Sequence, residues 1–105
     1  MKINRISDFK KTNGTSFSGL TFEATTNQII DAVGEPDYRG GADDKVTRDW
    51  SLELEDGTIF TIYDWKEYCD FDDDEAVYWH IGTKWDDKEA ADKVEKALVE
   101  IGLML

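Results

Sequence analysis

The spacing of hydrophobic and polar positions changes several times along this 105-residue chain, and each change predicts an element. Residues 2–9 alternate weakly through Ile3, Ile6 and Phe9 and are expected to form an edge strand. Lys10 to Gly14 reads as a turn. From Phe17 to Ala24 the apolar Leu20, Phe22 and Ala24 alternate with Gly19, Thr21 and Glu23, which predicts a strand with one buried face. The period then lengthens: Ile29, Ile30 and Val33 make one side of a short helix. Thr25, with Gln28 three residues on, has the spacing of a capping box at its start. Gly34 suits its end, and Pro36 bars continuation. Residues 37–45 read as a glycine-rich loop.

The strongest local signal follows. Trp50 to Glu55 and Thr58 to Tyr63 flank Asp56-Gly57, a dipeptide suited to a two-residue type I′ hairpin turn. That turn would pair Leu54 with Ile59, Leu52 with Thr61 and Trp50 with Tyr63 on one face. Ser51, Glu53, Phe60 and Ile62 would occupy the other, with Phe60 and Ile62 either covered by another element or shown to a partner. Residues 64–75 read as a wet loop. Residues 76–84 form a further strand, with Val77, Trp79 and Ile81 opposed to Tyr78 and His80. Asp86 is expected to cap a last helix with Glu89 at its third position, and Trp85 to staple its start. Ala90, Val94, Ala97, Leu98 and Ile101 form its apolar stripe, Glu89–Lys93 and Asp92–Lys96 are favourable pairs, and Gly102 ends it. The order β-β-α-β-β-β-α predicts a single α+β domain over residues 1–105: a mainly antiparallel sheet of four to five strands with two helices on one face.

Composition supports a packed core. Hydrophobic residues make up 40% and aromatics 12%, more than an acidic disordered chain carries. Trp50, Trp79 and Trp85 are the core candidates. The single Cys69 excludes an intramolecular disulfide and fits a reducing cytoplasm. No apolar run approaches the ~20 residues of a membrane span. The opening Met1-Lys2-Ile3-Asn4-Arg5 runs into polar residues, so no signal peptide is expected.

Charge is the most uneven feature of the composition. The net charge of −12 comes from 24 acids and 12 bases, and residues 1–42 sum to zero, so the whole excess lies beyond them. Its densest point is Asp70, Asp72, Asp73, Asp74 and Glu75. Such a surface disfavours direct binding of nucleic acid and attracts basic proteins. The molecule is also a dipole, since Lys2, Arg5, Lys10 and Lys11 make the N-terminus mildly basic, and head-to-tail pairing into a homodimer is open to it.

Other chemistries find little support. Zinc needs clustered Cys and His, and this chain has one of each, Cys69 and His80. Asp70 begins an acidic run, but an EF-hand loop wants Gly at position six and Glu at twelve, where Glu75 and Ile81 stand. Carboxylates beside Cys69 disfavour its thiolate, the wrong direction for a nucleophile. Gly40-Gly41 lacks the Gly-Lys-Ser/Thr ending of a phosphate loop. No catalytic residue, cofactor or metal is expected.

A run of charge usually means a solvated surface. Here the run is flanked by Trp65, Tyr68, Phe71 and Tyr78 and continues through Asp86 and Asp87, with Asp43 and Asp44 adding to it. Aromatics beside charges are the composition of an interface. The candidate partner-binding set is therefore Asp43, Asp44, Trp65, Tyr68, Asp70, Phe71, Asp72, Asp73, Asp74, Glu75, Asp86 and Asp87, with Trp65, Tyr68 and Phe71 as anchors. A second reading makes Trp65, Tyr78 and His80 the lining of a small-molecule or nucleotide pocket. A hydrolase using carboxylates around His80 ranks below both.

Three segments together, Gly34-Glu35-Pro36-Asp37-Tyr38, the run from Asp56-Gly57 to Trp65-Lys66, and Trp79-His80-Ile81-Gly82, resemble a family of small phage and prophage proteins. That resemblance implies a phage-type accessory protein without catalytic activity, acting in the host cytoplasm. By analogy with acidic inhibitors of host defence, including anti-CRISPR proteins and DNA mimics, it implies inhibition of a basic, nucleic-acid-handling host effector. The order Thr25, Gln28, Gly34, Pro36 and Trp50 is also similar to the helix–hairpin unit of the BamE and β-lactamase-inhibitor fold. Both resemblances imply a binding module.

Overall fold

The computed structural model describes residues 1–41, 45–65 and 71–104. In chain order these form β1 (Ile3–Arg5), a 3-10 turn (Phe9–Thr12), β2 (Thr15–Thr25), α1 (Thr26–Val33), β3 (Tyr38–Arg39), β4 (Arg48–Leu54), β5 (Ile59–Tyr63), β6 (Ala76–Lys84) and α2 (Ala90–Glu100). The strands make one antiparallel sheet in the order β1-β4-β5-β6-β2, with β3 beside β1 on the same edge of β4. The fold is α+β, as the pattern predicts. The sheet has six strands because two residues of the glycine-rich loop, Tyr38 and Arg39, also pair.

Local signals explain most of these elements. Thr25 accepts a hydrogen bond from Gln28 N (3.0 Å), and the Gln28 side chain accepts one from Thr25 N (2.7 Å), completing the capping box. β2 alternates as expected, with a bulge between Phe17 and Thr21. There Ser18 donates to Ile81 O (2.8 Å) and accepts from Leu20 N (3.2 Å), so the interrupted ladder keeps its hydrogen bonds.

The hairpin between β4 and β5 departs from the expected register by one residue. Gly57 N donates to Leu54 O (2.9 Å) and Leu54 N to Thr58 O (2.8 Å), so the loop has three residues, Glu55-Asp56-Gly57. Gly57 takes a φ of +94°, the left-handed position of a three-residue hairpin with a glycine bulge. The pairs are consequently Trp50–Ile62, Ser51–Thr61, Leu52–Phe60 and Glu53–Ile59, not Leu52–Thr61 and Trp50–Tyr63. Because side chains alternate with period two, this slip moves β5's whole apolar set to the other face. Phe60 and Ile62 join Trp50, Leu52 and Leu54, and all five are buried. Neither Phe60 nor Ile62 is shown to a partner.

Those residues, with Phe22, Trp79 and Ile81, make one core with Ile29 of α1 and Val94, Ala97 and Leu98 of α2. Both helices therefore cover the same sheet face. Trp50 and Trp79 meet edge to face, with centroids 5.3 Å apart. Each indole donates outward, Trp50 to Gly34 O (2.8 Å) and Trp79 to Ala24 O (2.9 Å), so the chain is tied down just before and just after α1.

The last helix corrects four expectations. It starts at Ala90, and Glu89 at its N-cap makes no side-chain cap bond. Asp87, rather than Asp86, organises the preceding turn: its carboxylate accepts from Glu89 N and its carbonyl from Ala90 N, both at 3.3 Å. Trp85 is 78% exposed and lies against Gly14, so it neither staples the helix nor enters the core. Ile101 is also exposed, off the buried stripe. Lys93 approaches Glu89 (4.0 Å) as expected and Asp56 more closely (3.3 Å), linking α2 to the hairpin tip, whereas among the ion pairs of the described residues there is none between Asp92 and Lys96.

The turn geometry makes a direct prediction. Gly57→Ala should cost about 1–2 kcal/mol, the penalty of a side chain in the left-handed region. Thermal unfolding should show a fall of roughly 4–16 °C for a domain of this size. A two-residue turn would tolerate the change differently, and NOEs between Leu52 and Phe60 should persist in the variant that folds.

Candidate functional site

Two residues of the expected wet loop, Asp64 and Phe71, are buried. The Asp64 carboxylate is fully buried. It accepts from Thr47 N (2.8 Å), Thr47 Oγ1 (2.6 Å) and Arg48 N (2.8 Å), so it staples the end of β5 to the start of β4. Phe71, expected as an exposed anchor, is 6% exposed. It packs edge to face on Trp79 (6.0 Å), and the Arg48 guanidinium sits 4.1 Å above its ring.

Asp73 is also spent internally. Arg39 grips both its oxygens (3.1 and 3.0 Å), Arg48 adds a third bond (3.0 Å), and its carbonyl accepts from Asn27 N (2.9 Å). The Arg39 hydrogen bonds, with the charges of Arg39 and Arg48 behind them, hold the Asp73 carboxyl below its ordinary range. Asp73 thus pins the acidic turn instead of offering a charge. Asp72, Asp74 and Glu75 are exposed, and none forms an ion pair among the described residues. Asp86 is exposed and Asp87 half-buried in its turn. Asp43, Asp44, Tyr68 and Asp70 lie outside the described residues.

The sheet face away from α1 and α2, where the 3-10 turn also packs, holds a second constellation. Cross-strand register puts Asp49 opposite Tyr63, Tyr63 opposite His80 and Phe17 opposite Gly82. Phe17 and His80 rings lie 4.7 Å apart, Tyr63 and His80 5.7 Å, and Tyr63 and Trp65 6.4 Å at a near-perpendicular 84°. Phe17, Tyr63, Trp65 and His80 line a depression of about 400 Å³. Tyr63 and Trp65 also wall an adjoining one of about 320 Å³, which reaches Asp49, Ser51, Thr61 and Gly82. Gly82 is required by this floor, since a Cβ there would collide with Thr61 Oγ1 and stand 3.4 Å from Tyr63 Cε1.

Trp65 and His80 are therefore brought together as the pocket reading expects, but Tyr78, 60% exposed, does not line the cleft. Phe17, Asp49 and Tyr63 were not expected there. Their common face follows only from the one-residue register shift and from the bulge in β2.

Asp49 carries the clearest electrostatic anomaly. It is half-buried, and its carboxylate has no ion pair or hydrogen bond among the described residues. Burial chiefly, then the charges of Asp37 and Asp64, push its pKa up. Asp37 itself is satisfied by Arg5 (2.8 Å) and Ser51 N (2.7 Å).

Among the described residues no group of three His, Cys, Asp or Glu side chains is placed to hold a metal ion, and no helix is long and apolar enough to cross a membrane. No family model, curated protein or solved structure matches this chain.

Asp64→Ala leaves three buried or half-buried donors unmatched and should destabilise by about 2–4 kcal/mol, read by urea denaturation. Asp49→Asn should do the reverse. Asp49's folded pKa lies above its unfolded value, so the folded state binds the proton more tightly and loses stability as pH rises through the carboxylate range. The Asn variant should melt higher than the parent at pH 7, and the gap should close as pH falls below the model-peptide value.

Proposed function

We propose that this protein is a non-catalytic binding protein that engages a basic, nucleic-acid-handling partner and inhibits it. The observation that supports this most is the sheet face that α1 and α2 leave open: both helices cover the other side, while Phe17, Trp65 and Tyr78 stand exposed on this one, beside the 3-10 turn. Exposed aromatics beside carboxylates suit a docking surface. The net charge of −12 sets the sign of the partner.

The two acidic features divide the work by range. Asp72, Asp74 and Glu75 project from a turn pinned by Asp73 at the end of the sheet where β5 stops and β6 begins. Exposed charges of this kind act over about a Debye length and mainly raise the association rate. The aromatic face supplies short-range contact. Inhibition is a consequence of the chemistry: carboxylates that neutralise a partner's lysines and arginines compete with phosphate for them. In line with the phage-protein resemblance, the partner is a defence effector in the host cytoplasm, and this protein acts there.

The test uses a nona-arginine peptide bound to a labelled DNA duplex. The protein should strip the peptide from the DNA, less effectively as salt rises. The triple variant Asp72→Asn/Asp74→Asn/Glu75→Gln, which leaves the Asp73 clamp intact, should need several-fold more protein and show a shallower salt slope. Equal competition and equal slopes for parent and variant would overturn the steering role of the turn. No displacement at any salt would overturn the reading as a whole.

A further inference from the structure

We infer that the aromatic cleft beside Asp49 is a receptor for one arginine side chain of the basic partner. The site is a row of cross-strand neighbours: Asp49, Tyr63 and His80 lie opposite one another on β4, β5 and β6, with Phe17 beyond His80 and Trp65 over Tyr63. Ring faces carry negative potential, and a cation within about 6 Å of a centroid is attracted to them. Tyr63 and Trp65, at 84° to each other, offer two walls of one corner, and the Asp49 strand position adjoins it.

Asp49 says what is missing. It is a half-buried carboxylate without an ion pair or hydrogen bond among the described residues, and its nearest charged influences, Asp37 and Asp64, have its own sign. A charge partly removed from water and left without a partner is unfavourable, and a cation entering the cleft would supply that partner. The ends of the cleft differ accordingly, apolar rings on one side and a carboxylate on the other. A guanidinium matches both, since its plane stacks on a ring while its N–H fork grips a carboxylate. The same sheet already shows this arrangement internally on its helix side, where the Arg48 guanidinium lies 4.1 Å over Phe71 and bonds Asp73 at 3.0 Å. The open cleft repeats the aromatic and the carboxylate without the arginine.

This assignment rests on the reading of the protein as a binder of basic partners, but the two fail separately. The probe is the tripeptide acetyl-Gly-Arg-Gly-amide, titrated at millimolar concentration into the labelled protein and followed by NMR. Its controls are the analogues with citrulline, which keeps the shape and loses the charge, and with lysine. The arginine peptide should shift the ring resonances of Tyr63, Trp65 and His80 saturably, lysine more weakly and citrulline not at all. Asp49→Asn should weaken binding at least fivefold while melting no lower than the parent, so loss of fold cannot mimic the result. Trp65→Leu, on an exposed side chain, should weaken it comparably. Equal shifts from arginine and citrulline, unchanged affinity in Asp49→Asn, or shifts confined to Asp72, Asp74 and Glu75 would each overturn the receptor. Nona-arginine competition with a normal salt slope alongside such a failure would leave the acidic steering standing without the cleft. Saturable arginine binding without any displacement from DNA would leave the cleft and remove the proposed partner.

Discussion

The structure depends on the length of one turn. Three residues, Glu55-Asp56-Gly57, connect β4 to β5, and Gly57 takes the left-handed backbone that closes such a loop. A loop one residue shorter would exchange the faces of β5 relative to β4. With the observed register, Trp50, Leu52, Leu54, Phe60 and Ile62 fall together and are buried under two helices. Asp49, Ser51, Thr61 and Tyr63 fall together on the other side and build the cleft. Core and candidate site are the two faces of one register.

The acidic character divides on the same lines. Asp64 and Asp73 hold segments in place, one by backbone and hydroxyl donors and one by two arginines. Asp37 ties Arg5 of β1 to the backbone of β4. These carboxylates are satisfied inside the fold and offer nothing to a partner. The exposed Asp72, Asp74 and Glu75 shape the field around the molecule. Asp49 belongs to neither group, being partly removed from water yet unmatched. A net charge therefore overstates the acidic surface.

This division explains why the aromatic residues also separate. Trp50, Trp79 and Phe71 are packed against one another, and each has an internal partner for its polar edge or ring face. Phe17 and Tyr63 each contact His80 on the sheet face away from α1 and α2, beside Trp65. The two sets meet in sequence where Trp79 stands next to His80, and Tyr63 likewise stands next to the buried Asp64. Alternation along β5 and β6 sends neighbours to opposite environments.

What could be read from the residues alone is what local chemistry decides. The capping box at Thr25 and Gln28, the alternation of β2 and β6, the buried stripe of α2 and the existence of a hairpin at Asp56-Gly57 all depend on neighbours within a few positions. The acidic run was equally visible as a charge, but its internal division was not. Asp64 and Phe71 look like loop residues because their partners, Thr47, Arg48 and Trp79, are distant in the chain. The hairpin register escaped for a different reason: Asp-Gly closes loops of two or three residues, and β5 is apolar enough on both faces to fit either. Only packing against two helices, which demands one continuous apolar face, chooses between them. The cleft at Asp49, Tyr63 and His80 is a product of that choice, because three strands had to be aligned before those side chains became neighbours.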